Sequence, residues 1–67
     1  MKNYMKFEEQ RIKEVKRGFT TVHDAMERCA GYICCMRDMG VISVDRAGEE
    51  TMNMIEKFLE LEKQITK

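Results

Sequence analysis

The sequence contains no proline and no tryptophan, and only five of its 67 residues are aromatic. Without proline no helix interior is interrupted by a missing N–H, and the abundance of Glu, Lys, Arg and Met favours helix throughout. A run of apolar residues near the roughly 18 needed to span a bilayer is missing, and no apolar stretch of signal-peptide type follows the charged N-terminus, so a cytoplasmic protein is expected. Net charge is also missing: the formal balance is zero, which excludes a global field drawing the molecule to nucleic acid or to an anionic membrane. The three cysteines, Cys29, Cys34 and Cys35, are odd in number and fit no disulfide framework, so they read as reduced thiols.

What is present fits one small helical domain over residues 1–67. A chain this short buries only roughly 60% of its unfolded surface, so one core is the ceiling. Hydrophobic residues make up 43% and charged residues 36%, the balance of a helix assembly with solvated faces rather than of a disordered tail.

Apolar residues recur at steps of three and four from Met5 through Ile12, Val15, Phe19, Val22, Met26, Cys29, Ile33 and Met36, and only Glu8 interrupts the series. This heptad pattern predicts a long helix over about 5–39. Gly40 then supplies a left-handed stop, Ser43 or Asp45 can cap the next helix, and Val44, Ala47, Thr51, Met54, Phe58, Leu61 and Ile65 predict that second helix over about 45–66. The expected fold is an all-α antiparallel hairpin. The alternative is a break near Gly18, where Thr20 and Thr21 can cap a new helix and give three helices.

A two-helix hairpin buries only narrow strips, so a four-helix bundle formed by a homodimer is expected, with Phe19, Val22, Met26, Cys29, Ile33, Met36, Met54, Phe58 and Leu61 as its core. Tyr4, Phe7, Arg11 and Arg17 would lie on the N-terminal overhang and Tyr32 and Met39 beside the seam. Aromatic and arginine side chains are the usual anchors of protein interfaces, so these six are the candidate partner-binding residues. Met39 and Met52 are further interface candidates, because flexible thioethers make adaptable surfaces.

Catalytic and metal chemistry find little to work with. His23 and Glu27 share a helix face, but Cys29 lies about 240° around the helix from His23, and a zinc site needs three or four convergent ligands. Adjacent Cys34 and Cys35 point about 100° apart and make no redox pair, and His23 is about 16 Å along the helix from them. No phosphate-binding loop or nucleophile motif is present, so neither an enzyme nor a cofactor is expected. Charge is uneven along the chain, +3 over residues 1–17 and −2 over 45–67, and Arg11, Lys13, Lys16 and Arg17 could neutralise phosphates, although Glu8, Glu9 and Glu14 are interleaved.

Early in the second helix stands the stretch Glu50, Thr51, Met52, Asn53, Met54. In outline the hairpin resembles the small two-helix regulators of bacterial phosphorelays, including the sporulation phosphatases, which carry a Ser-Gln-Glu-Leu-Asp signature at that place. The signature is not in this chain, so the resemblance is one of architecture and brings no functional residues with it. The expected function is that of a non-catalytic regulator, inhibitor or adaptor docking on a larger protein, of a kind typical of bacteria and their phages. The alternatives are a nucleic-acid accessory protein using the basic N-terminal face, or a structural assembly subunit.

Overall fold

The computed structural model describes residues 2–65 and contains three helices: α1 (Lys2–Lys16), α2 (Val22–Asp38) and α3 (Val44–Ile65). All-helical architecture is as expected. The single long helix over 5–39 is not: the chain turns at residues 17–21, and α1 folds back antiparallel to α2 instead of extending as an overhang. Residue 66, the expected end of the last helix, lies outside the described residues.

The break is written in Gly18. Its φ of +79° is left-handed, open to glycine and strained for other residues. The Phe19 N–H reaches the Glu14 carbonyl at 2.9 Å and the Gly18 N–H reaches that of Val15 at 3.1 Å, the paired bonds that close a helix around a left-handed residue. Thr21 then caps α2, its hydroxyl accepting from the Asp24 N–H at 3.1 Å. The same arrangement recurs at Gly40, φ +75°, where Val41 and Gly40 donate to Met36 and Arg37. Ser43 caps α3 by accepting from the Arg46 N–H.

Periodicity misled here for a simple reason. Val15 and Val22 stand seven residues apart on either side of the turn and are both buried, so the heptad step is preserved across a break it cannot reveal. Phe19, assigned to the seam between them, is instead in the turn and 75% exposed.

The core lies along α2. Ala25, Cys29 and Ile33 meet Ala47, Met54, Phe58 and Leu61 of α3 on one side and Tyr4 and Val15 of α1 on the other. Six residues expected in a dimer core, Val22, Cys29, Ile33, Met54, Phe58 and Leu61, are thus buried within one chain. Met26 and Met36 are half-buried at its margins. Helix α1 packs against the α2–α3 pair, so one chain buries more than the narrow two-helix seam that was expected.

Glu8, the interruption in the apolar series, is 5% exposed. It accepts from the Tyr4 hydroxyl one turn earlier in α1 at 2.6 Å and from Lys57 of α3 at 2.7 Å, and so ties α1 to α3. A buried carboxylate is retained only when partners replace its water, and here one partner is neutral and the other charged.

Candidate functional site: a groove between α1 and α2

Side chains at Arg28, Tyr32, Met36 and Met39 recur at helical spacing along one face of α2, and Lys2, Tyr4 and Phe7 line the facing edge of α1. Between them runs an open groove of about 680 Å³, ending at Met39 and Val41 beyond the α2 terminus. Its floor is aromatic. The Tyr32 ring stands 5.4 Å from Tyr4 and 4.9 Å from Phe7 between centroids, both pairs tilted as aromatic quadrupoles prefer. Arg11 covers the next step, its guanidinium 4.5 Å over the Phe7 ring and its Nε 2.8 Å from Glu14. The Nε contact is an ion pair rather than a directed hydrogen bond, while Nη2 donates to Glu14 at 3.3 Å.

Four of the six residues expected at a partner surface, Tyr4, Phe7, Tyr32 and Met39, therefore converge on one groove. Tyr4 is buried and belongs to its floor, so the contacting rings are Phe7 and Tyr32, both half-buried. Arg11 adjoins the groove through Phe7. Arg17, past the other end of α1 and about 22 Å from Lys2 by helical rise, does not. Met39 is 73% exposed, and the Cys35 thiol lies 3.7 Å from its sulfur. Lys2, Arg28, Cys35 and Met36 were missed as groove residues. The spacing of Arg28, Tyr32 and Met39 along one helix face was available in the sequence, but without the turn at Gly18 nothing placed α1 opposite that face.

Lys2 and Arg28, on opposite walls, make no ion pair among the described residues. The acids of α1 are largely engaged elsewhere, Glu8 by Tyr4 and Lys57 and Glu14 by Arg11. Arg11 is correspondingly withdrawn from the basic cluster expected to meet phosphates; Lys13, Lys16 and Arg17 of that cluster stay exposed, with Lys6 beside Lys13 on the outward side of α1.

The thiols divide by environment. Cys29 is fully buried, and burial together with the negative charge of Glu8 pushes it up to about 11, partly offset by the Tyr4 hydroxyl and by Arg11. A thiol held protonated is a small hydrophobe and a poor nucleophile. Tyr4 is likewise raised, first by burial and then by Glu8. His23 and Glu27 form an exposed pair at 3.0 Å, and among the described residues no three His, Cys, Asp or Glu side chains gather closely enough to hold a metal. No described helix is long and apolar enough to cross a membrane.

A second, shallower depression lies between α2 and α3, bordered by Ile33, Cys34, Val44, Gly48 and Met52. Gly48 and Met52 are roughly 180° and 140° around α3 from Lys57, so this face is turned away from α1.

The fold and groove define a three-helix all-α protein with one aromatic, cation-rimmed surface channel. Neither protein-family models, nor curated proteins, nor solved structures compared with this chain match it.

Proposed function

We propose that this chain is a non-catalytic protein-binding module, a regulator, inhibitor or adaptor, that docks on another protein through the α1–α2 groove. The observation that carries this reading is the groove itself: half-buried Phe7 and Tyr32 flanked by the exposed thioether of Met39, in a channel whose walls hold two cations without an ion-pair partner among the described residues. Aromatic rings offer large contact area at low entropic cost and methionine adapts to its partner, the composition that concentrates binding energy at interfaces. Support for a non-catalytic role comes from the chemistry of the thiols and histidine, since Cys29 is buried and protonated and His23 is occupied by Glu27 about three helical turns from Cys34.

The test is a photo-cross-linking residue placed at position 39, on the groove, and separately at position 56, on the exposed outer face of α3. Adducts with another protein from position 39 and none from position 56 support the reading; adducts from position 56 alone contradict it.

Homodimerisation is a second proposal, favoured by the exposed apolar side chains of Val44, Met52 and Leu59 on or beside the face of α3 away from α1. Light scattering across a concentration series tests it, with a stable mass of twice 7.9 kDa expected and a stable monomer against it. Phosphate binding by Lys6, Lys13 and Lys16 is the runner-up function, and a steep loss of nucleic-acid affinity with salt is its signature.

A further inference from the structure

We infer that the occupant of the α1–α2 groove is an acidic amphipathic helix of another protein, its apolar side chains seated against Phe7, Tyr32 and Met39 and its flanking carboxylates meeting Lys2 and Arg28. The inference rests on the groove being the docking surface and adds the chemistry of what docks there.

Shape is the first ground. A channel bounded by two antiparallel helices and floored by apolar side chains at helical spacing matches the apolar stripe of a third helix, presented at i, i+3 or i+4, and i+7. Charge is the second. Lys2 stands on the α1 wall and Arg28 on the α2 wall, so an occupant meets a cation on each side. Among the described residues neither is neutralised internally: Asp24, one turn before Arg28, makes no ion pair with it, Glu27 is held by His23 and Asp38 by Arg37. Lys6 continues the positive edge one turn beyond Lys2, with Glu9 the acid of α1 that stays outside any ion pair among those residues. An unpaired cation beside an apolar channel gains from an acidic ligand and repels a basic one, which selects as well as binds.

A second copy is the nearest competitor, because α3 exposes Met52 and Leu59 beside Glu49, Glu56 and Glu60. Around the α3 axis these acids all fall to one side of the Met52–Leu59 strip, and Gly48 and Ile55 occupy the other. The acid on the Gly48–Ile55 side is Glu62, which is already engaged within the chain, so that face turns its unengaged carboxylates to one wall of the groove. A helix with acids on both flanks satisfies both.

The test uses the full chain and a fluorescein-labelled helical peptide of about five turns, leucine on its apolar stripe and glutamate on both flanks, with a control in which each glutamate is lysine. Affinity is read by fluorescence anisotropy and location by backbone amide shifts. The expected result is acidic-peptide binding that shifts Phe7, Tyr32 and Met39, no measurable binding of the basic control, and an affinity about tenfold weaker in Lys2→Glu/Arg28→Glu, whose exposed substitutions leave the fold intact. Equal binding of both peptides in the groove overturns the acidic occupant while leaving the groove as a docking surface. Binding of neither peptide overturns both. Shifts confined to Lys6, Lys13 and Lys16 make the outer basic face the site, and concentration-dependent shifts at the groove without peptide identify a second copy as the occupant; each overturns the proposal.

Discussion

Replacing Glu8 by leucine restores the apolar residue that the heptad series omits, yet it destabilises the protein. The reason is Tyr4, whose hydroxyl donates to Glu8 at 2.6 Å and is buried with it. Leucine leaves that hydroxyl without an acceptor, and an unsatisfied buried polar group costs about 1–3 kcal/mol. In a domain of this size such a loss lowers the melting temperature by roughly 4–8 °C per kcal/mol. Tyr4→Phe alone removes a single hydrogen bond and leaves Glu8 paired with Lys57, at a cost of about 1 kcal/mol. The double variant Tyr4→Phe/Glu8→Leu removes both polar partners, so it recovers most of what Glu8→Leu loses. Lys57→Met removes the ammonium from a Glu8 carboxylate that is 6% exposed and leaves it Tyr4 as partner, at a cost of about 1–3 kcal/mol. Urea unfolding of the four variants at neutral pH measures the cycle. A double variant no more stable than Glu8→Leu refutes the assignment of Tyr4 as the group that Glu8 satisfies.

Gly18→Ala destabilises by about 1 kcal/mol because its φ of +79° suits glycine, whereas Gly48→Ala, within α3 and with open space around its Cβ, stabilises by about 0.5–1 kcal/mol; thermal unfolding of the pair reads both signs. Phe58→Ala empties a fully buried site and costs about 3–5 kcal/mol, while Phe19→Ala changes stability little. Raising the pH also has a determined sign. The Cys29 thiol ordinarily ionises near 9 and in the fold near 11, so the unfolded chain gives up its proton first and stability falls as pH rises between those values, by about 2 kcal/mol; Tyr4, shifted in the same direction, adds to the fall above pH 10. Cys29→Ala flattens the part that begins near pH 9, and denaturation at fixed urea across that range measures it.

Most of the helical content was legible because the residues that make it act locally. Gly40, Ser43 and the stepped apolar residues of α3 behave as their chemistry dictates, and α3 starts within a residue of where that chemistry puts it. Gly18 and Gly40 carry the same signal, a glycine after a basic or apolar last turn, and close their helices with the same pair of hydrogen bonds. The first was outweighed by a heptad series that continues across it, since a turn between Val15 and Val22 leaves their spacing unchanged. Everything tertiary depended on that one turn. With α1 extended, Tyr4 and Phe7 belonged to an overhang and the core residues to a dimer; with α1 folded back, the same residues form the floor of a groove and the inside of one chain. Glu8 was beyond the sequence for a different reason. A charged residue in an apolar series reads as a defect until its partner is known, and Lys57 is 49 residues away.

The proposal that another protein binds through Met39 and the rings beside it is tested most directly by one affinity measurement. The protein recovered by cross-linking at position 39 is titrated with the wild-type chain and with Met39→Asp, a substitution at a side chain 73% exposed. An unchanged melting temperature and binding weakened by at least about tenfold are expected, as for loss of an interface anchor. Equal affinity for the two chains contradicts the proposal.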